Sequence, residues 1–422
     1  MRIAFATFGC KINQYETDGI RRSLAEQGGE IVPFDEDADI YVINTCSVTA
    51  KSDYQCRQAI RAAVRRKSSA RVIVTGCYAE THSDVVRHMP GVSAVVPNQE
   101  KMDVRHYLDP SDSGSHPLFT LPVPVTSGRT RAYLKIQDGC DSRCTYCIVP
   151  LARGSSRSVP SAQVLPLFDD AVSRSVPEVV LSGIHIGRYG ADLLPQTSLG
   201  SLLKDLTERR GGTRIRLSSI EPNEITPEII GLLGNGLCRH LHIPLQSGDD
   251  AILNSMNRKY HAGYFADLLH RIESAVPDIA IGTDVMVGFP GEGDREFRST
   301  CDMIEKLPIT HLHVFSYSPR PGTPASAFPS QVPEQVKKDR NAELRRLGRE
   351  KNLHFAKRFL QRTLPVVVES KFDAASSTYS GLSDNYLRLA VSGTKEEHVG
   401  KLCNVRITDA VDGGISGIVC AN

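Results

Sequence analysis

The sequence predicts an α/β protein in three parts: an open parallel α/β sheet, a partial (βα)6 barrel and a small antiparallel β-barrel. Three observations predict it. In the first third, apolar β-branched runs recur one strand–helix–strand unit apart. From Tyr133 onward six such runs alternate with helical patterns. Beyond Thr363 the runs lose their intervening helices and are punctuated by Gly and Asp. A chain of 422 residues holds two or three domains, each with its own core. Net charge is only +2, so any nucleic-acid contact has to come from local clusters. Eleven scattered cysteines, an odd number, do not make a secreted disulfide framework. The first residues, MRIAFATFGC, carry no apolar leader, and no run reaches the ~18 apolar residues of a membrane span. The expected location is the cytoplasm, with no membrane contact.

The amino-terminal strands are expected at Arg2–Thr7, Ile40–Asn44 and Arg71–Thr75. Each is followed within a few residues by a cysteine: Cys10, Cys46 and Cys77. In a parallel sheet the loops at the carboxyl ends of strands converge on one edge, so these cysteines are candidates for a shared metal. The alternative is three separate small buried residues, which is common for Cys. Arg57, Arg61 and Arg65 share a helix face at four-residue spacing. That face is either a solvated surface or a phosphate-binding stripe.

The stretch Asp109–Arg131, in which thirteen of 23 residues are Pro, Gly, Ser or Thr, reads as a linker holding the domain boundary. The expected domains are residues 1–115, 129–360 and 361–422. After the linker comes GCDSRCTYC, with Cys140, Cys144 and Cys147 in one loop around Tyr146. Three thiolates so close call for a soft metal. A zinc ion needs a fourth ligand, which no neighbouring Cys or His supplies, so it would have to come from far off in sequence. A four-iron cluster needs only three and keeps one iron open.

The barrel strands are expected at Tyr133–Gln137, Glu178–Ser182, Arg214–Ser218, His240–Ile243, Ile279–Val287 and His311–Ser316. Chemistry in parallel barrels gathers at the carboxyl ends of strands. Those ends carry the cysteine loop, Gly183 with His185, Ser219 with Glu221, Gln246, Asp284, and Tyr317–Arg320. Of these, Tyr146, Gly183, His185, Ser219, Glu221, Gln246 and Asp284 are the candidate cofactor contacts. Lys337–Arg362 then has ten Lys or Arg against three acidic residues on a helical pattern. Lys337, Lys338 and Arg345 are taken from it as RNA contacts, an ordinary surface helix being the alternative. The final part, with strand patterns at Leu364–Ser370, Tyr386–Val391, Leu402–Thr408 and Ile415–Cys420, fits an OB-like barrel. It has five basic residues against seven acidic, so any grip on RNA relies on shape and on aromatics such as Tyr379 and Tyr386.

With Cys140, Cys144 and Cys147 joined to Cys10, Cys46 and Cys77, the chain resembles the methylthiotransferase family of radical S-adenosylmethionine (SAM) enzymes over essentially its whole length. The stretches TFGCKINQYE, KIQDGC, GIHIGRYG and HLHIPLQSG are similar to those of the branch modifying N6-threonylcarbamoyladenosine in tRNA. The resemblance implies a methylthiotransferase domain, a radical SAM barrel and a carboxyl-terminal TRAM domain that binds RNA. It also implies two 4Fe-4S clusters, one on each cysteine trio, and two SAM molecules per turnover. One SAM methylates a sulfur at the Cys10–Cys46–Cys77 cluster, and the second yields the radical that takes hydrogen from C2 of the adenine. The implied partners are the tRNA anticodon loop, an electron donor of flavodoxin or ferredoxin type, and a sulfur source. The alternatives are the N6-isopentenyladenosine branch, the branch acting on a ribosomal-protein aspartate, and a non-catalytic iron–sulfur RNA-binding regulator.

Overall fold

The computed structural model describes residues 1–104, 107 and 130–420. The Asp109–Arg131 stretch, apart from its last two residues, lies outside the described residues, and so does the expected boundary within it.

The first sheet is β1 (Arg2–Thr7), β2 (Glu30–Val32), β3 (Ile40–Thr45), β4 (Arg71–Gly76) and β5 (Val92–Val96), in the order β2-β1-β3-β4-β5. Every pair is parallel. Helix α1 (Lys11–Glu26) sets Ile20 and Leu24 on Ile3, Phe5 and Val42 of one face. Helix α2 (Ala50–Arg66), begun by a Thr49/Ser52 capping box, sets Ile60 and Ala63 on Ala4, Tyr41 and Val74 of the other. With both faces covered, β3 is buried along its whole length, which is why its sequence is apolar rather than alternating. The edge strands β2 and β5 escaped the sequence reading: one has three residues, the other is half-buried. Register pairs Thr7 with Asn44 and Asn44 with Thr75, so the strands that precede the three cysteines end level.

In the middle, β6 (Ala132–Lys135) leads into a short hairpin, β7 (Gln137–Asp138) with β8 (Arg157–Ser158). Strand β6 pairs in parallel with β9 (Glu178–Ser182), which pairs with β10 (Arg214–Leu217). A second parallel sheet holds β11 (His240–His242), β12 (Ala280–Val287) and β13 (His311–Ser316). A bridge from Ile215 to Leu237 joins the two, giving the six-stranded partial barrel. Among the described residues β6 and β13 pair on one side only, so the wall has a lateral gap between them. Val179, Leu181, Ile215, Leu241 and Ile281 turn outward to Phe168, Leu203, Phe265 and Leu268 of the surrounding helices. The alternate positions carry many polar residues, among them Lys135, Glu178, Arg214, Arg216, His240, His242, Asp284 and His313, with Val180, Met286 and Phe315 beside them.

The last five strands, β14 (Thr363–Asp373), β15 (Thr378–Ser383), β16 (Arg388–Ser392), β17 (Leu402–Val411) and β18 (Gly414–Val419), close into a barrel. Its pairs are antiparallel except β16 with β18, which are parallel. Strand β15, TYSGLS, carries no apolar alternation and was not expected. Tyr386 belongs to no strand: it sits in a turn with φ +66° and stacks on His240, ring centroids 4.0 Å apart. It is therefore not free to stack on a base. Tyr379 is half-buried beside Phe372.

Two arginines of β10 lock the two barrels together. Arg214 donates to the carbonyls of Pro365 (3.0 Å) and Leu382 (2.6 Å). Arg216 donates to those of Ser383 (2.9 Å) and Asp384 (3.1 Å). Both also bind Glu178, which is fully buried.

The basic helix runs Glu334–Lys357 and buries Leu344 and Phe355. Lys337 does not face solvent. It is 3% exposed, and its Nζ donates to the Tyr317 carbonyl (3.1 Å) and to Glu334 (2.6 Å). Lys337 is thus a packing residue and not an RNA contact. Helical periodicity alone does not tell a buried cation with partners from an exposed one. Lys338 and Arg345 are exposed.

Candidate metal centre

Cys10 caps α1, Cys46 follows β3, and Cys77 opens the short helix α3 (Cys77–Thr81) at the end of β4. Burial pushes the Cys46 thiol up, with smaller contributions from the neighbouring Cys77 and Cys10. Glycine makes this approach possible. Gly76 has φ +98°, and a Cβ there would stand 2.4 Å from the Thr45 backbone. A Cβ on Gly9, at φ +97°, would stand 2.8 Å from Cys46 Sγ. Gly139, at φ +71°, plays the same part before Cys140. The dipeptide Gly-Cys occurs before Cys10, Cys77 and Cys140, a signal present in the sequence but not read there.

Cys140, Cys144 and Cys147 lie between β7 and the Val149–Arg153 helix. Cys140 N–H donates to the Gly154 carbonyl (3.0 Å) and Cys147 N–H to that of Cys144 (3.1 Å), which folds the loop tightly. Donors are aimed at the sulfurs: Ser142 N–H at Cys140 Sγ (3.3 Å) and Arg258 Nη1 at Cys144 Sγ (3.4 Å). His185 Nδ1 lies 3.5 Å from Cys140 Sγ, and its Nε2 lies 2.8 Å from Glu224. Burial pulls His185 down, but its bonds to Cys140 and Glu224 outweigh that and raise it to about 10. Burial likewise raises the Cys140 thiol, yet the His185 contact leaves it below the usual thiol range. Cys147 is pushed up to about 12 by burial, so a bound metal is what would hold it as thiolate.

The donor sets fit a cluster better than a single ion. Among the described residues, no group of three that includes a cysteine has its ligand atoms all within 4.8 Å of one another. Tetrahedral zinc with 2.3 Å bonds needs sulfurs about 3.8 Å apart. Three sulfurs spread around a larger body suit an iron–sulfur cube.

A buried ionic net ties the two cysteine sites together. Glu16, 1% exposed, accepts from Lys101 (2.6 Å), Lys135 (2.7 Å) and Arg153 (3.0 Å). Asp138 accepts from Lys135 (2.7 Å) and Arg153 (2.9 Å), and Arg153 Nη2 reaches Asn13 Oδ1 (2.5 Å). Burial opposes the charge on Glu16, but Arg153, Lys101 and Lys135 hold its carboxyl well below the usual range. Its three buried cations outnumber the two carboxylates, and Arg157 adds a fourth at the rim, 3.9 Å from Asp138.

The candidate cofactor residues divide around the Cys140–Cys147 loop. Tyr146, Gln246 and Asp284 line a cavity of ≈ 240 Å³ together with Cys147 and with Val48 and Thr49 from the Cys46 loop. Gln246 is held at φ +65° by backbone bonds to Asp284 and Met286 on β12. Asp284 is already paired, 2.9 Å from His242 and 3.4 Å from His313. His185 and Glu221 line a separate cavity of ≈ 430 Å³ beside Cys144, where Glu221 pairs with Arg258. Gly183 packs on Gln137, and Ser219 is exposed at the end of β10; neither lines these cavities. Of the amino-terminal arginines, Arg57 is engaged with Tyr78 (3.1 Å), whereas Arg61 and Arg65 are exposed. Sequence reasoning did not single out Arg258, Glu224 or Arg153, none of which lies in a motif of its own.

Residues 2–97 match the pattern of the uncharacterized protein family UPF0004, and residues 134–304 match that of the radical SAM superfamily. The chain is 39% identical to the threonylcarbamoyladenosine tRNA methylthiotransferase MtaB of Bacillus subtilis, covering 97% of this chain and 94% of that one. It is 34% identical to the protein of the same name from Thermotoga maritima, covering 98% and 96%. Among solved structures it is similar to the radical SAM methyltransferase TsrM of Kitasatospora setae. That match has a TM-score of 0.57 and 15% identity over 77% of each chain, which speaks for the fold alone.

Proposed function

The chain belongs to the radical SAM tRNA methylthiotransferases, and on that premise we propose what it makes: 2-methylthio-N6-threonylcarbamoyladenosine, at position 37 of tRNA, 3′ of the anticodon. The substrate reading draws on the names of its relatives and on the four sequence stretches it shares with that branch. The observation that carries the mechanism is the cavity bounded on one side by Val48 and Thr49 and on the other by Tyr146 and Cys147. Both cysteine loops border it, so sulfur held at one and SAM held at the other would meet the same base.

In this reading Cys140, Cys144 and Cys147 hold one 4Fe-4S cluster and Cys10, Cys46 and Cys77 a second. Bound there with two SAM per turnover, these groups supply a carbon radical able to break an unactivated C–H bond, and the methylthio group that takes its place. The residues around them shape and shield. Arg258, His185 and the Ser142 N–H steady the sulfurs of the first trio. Gln246, Asp284 and Tyr146 face the shared cavity, while His185 and Glu221, with Gly183 and Ser219 nearby in the fold, lie behind the loop as further SAM contacts. Reaching C2 needs a splayed-out nucleotide, which an anticodon loop offers at low unstacking cost. Arg61, Arg65, Lys338 and Arg345 are the exposed cations for its phosphates. We read residues 1–115 as the methylthiotransferase domain, 129–360 as the barrel and 361–422 as an RNA-binding TRAM domain. A flavodoxin- or ferredoxin-type donor supplies electrons, a separate source supplies sulfur, and the work is cytoplasmic.

The test is mass spectrometry of tRNA nucleosides from a strain lacking the gene. The expected result is loss of the 2-methylthio nucleoside and a matching rise of N6-threonylcarbamoyladenosine. A strain whose tRNA keeps the methylthio form sinks the reading.

A further inference from the structure

We propose that a groove along the free edge of β13 holds the single-stranded RNA next to the target nucleotide, with Phe315 stacking on a neighbouring base and Arg345 and Arg349 on the phosphates. This rests on the substrate reading above and adds the path by which the RNA reaches the cavity. The cavity between the cysteine loops, ≈ 240 Å³, is smaller than the roughly 300–1,000 Å³ of ordinary ligand sites. It has room for one base and not for an anticodon loop, so the neighbouring nucleotides must lie outside it. Above, the amino-terminal sheet closes on the end of β13, where Ala50 N–H donates to Ser318 Oγ (3.3 Å) and Arg320 pairs with Asp53. At the side, among the described residues, β13 pairs only with β12 and leaves its other edge free.

The Glu334–Lys357 helix runs along that edge. Asn341 Nδ2 donates to the Val314 carbonyl (3.3 Å) and Asn352 Nδ2 to that of Thr310 (3.3 Å). Between these two tethers a groove of ≈ 600 Å³ opens, lined by His313 and Phe315 of the strand and by Arg345, Gly348 and Arg349 of the helix. Gly348 is buried, and a Cβ there would stand 3.0 Å from Leu312 Cβ, so helix and strand touch and give the groove its floor. Phe315 lines both the groove and the cavity, and it is 45% exposed. A lone exposed phenylalanine is ordinary; one that joins a reaction cavity to a basic groove is placed to carry a base. His313, in the groove, lies 3.4 Å from Asp284, which lines the cavity, so the two spaces are separated by little more than these side chains. Arg345 and Arg349 are exposed one helical turn apart, with no hydrogen-bond or ion-pair partner among the described residues, and no residue lining the groove is acidic. Free guanidiniums beside an exposed ring are the two things single-stranded nucleic acid binds: charge that tracks phosphates and a platform for a base.

The experiment measures binding of anticodon stem-loop RNA carrying N6-threonylcarbamoyladenosine to the anaerobic, iron-loaded full chain over a range of salt, with iron content confirming that each variant is loaded. Phe315→Ala is expected to weaken binding about 10-fold and leave the slope of log K against log salt unchanged, while Phe315→Tyr keeps the native affinity. Arg345→Gln and Arg349→Gln are each expected to reduce that slope by about 0.7, the value for one phosphate contact on a single strand. RNA made abasic on one side of the target should lose what Phe315→Ala loses, and the two changes together should cost no more than either alone. Losses that add at both neighbouring positions, or a salt slope unchanged in both arginine variants, overturn the proposal, while methylthiolation of the RNA leaves the substrate reading intact. Native enzyme that neither binds nor methylthiolates the stem-loop overturns the substrate reading and the proposal together.

Discussion

Arg258 aims a guanidinium N–H at Cys144 Sγ from 3.4 Å, whereas Cys10 stands exposed at the head of α1, in the other trio. The two cysteines should therefore separate two halves of the reaction. Cys144→Ala is expected to abolish 5′-deoxyadenosine formation from SAM and dithionite. Cys10→Ala is expected to retain it and lose only methylthio transfer, both followed by chromatography of the reaction mixture. A folded Cys10→Ala protein that no longer cleaves SAM would show that the trios do not act separately. Cysteine identity and spacing were legible because a soft metal demands them within a short loop or at level strand ends. Glu16 and Lys135 were also on the page, inside TFGCKINQYE and KIQDGC, but as unconnected stretches. That they form one buried ion pair at 2.7 Å is a property of how two domains meet, which no local pattern encodes.

The cysteine loop depends on its first residue more than on any helix. A Cβ at Gly139 would lie 2.0 Å from the Ser155 carbonyl oxygen, and the backbone there is already at φ +71°. Gly139→Ala forces that loop open. Iron per purified chain is expected to fall by about half, since the Cys10–Cys46–Cys77 trio is untouched, and full iron content in the variant would refute the argument. Strands with a strong pattern were legible: β9 and β13 lie at Glu178–Ser182 and His311–Ser316, as expected from their runs. Those without one were not. Strand β15 is held by backbone pairing to β14 and β16, with Gly381 where a side chain would meet Val366. Lys337 was misread for the related reason that a cation on a helix face looks the same in sequence whether or not a carbonyl waits for it.

Across the whole molecule, Glu178 is the point where the middle barrel holds the carboxyl-terminal one. Burial would raise its pKa, but Arg216 and Arg214 outweigh that and hold it below the usual carboxylate range. Because the folded value is depressed, its contribution is complete above the unfolded pKa of about 4.3 and is lost as pH falls below it. Glu178→Gln is expected to cost about 3–5 kcal/mol in urea unfolding at neutral pH, by leaving two buried guanidiniums without a counter-charge. The same variant should flatten the acid limb of the stability curve; an unchanged limb would place the pH sensitivity elsewhere. None of this docking was legible beforehand. Arg214 and Arg216 read as ordinary strand residues, and Tyr386 as the start of one.

Tyr386 has a consequence for how the protein comes to be made. It lies on His240 at the start of β11, yet it is translated after every strand of the middle barrel. A growing chain thus raises its sides first and stays open beneath until its last module has folded. Metal inserted during that interval would meet water and oxygen from below, so a cell that protects its iron should load finished chains.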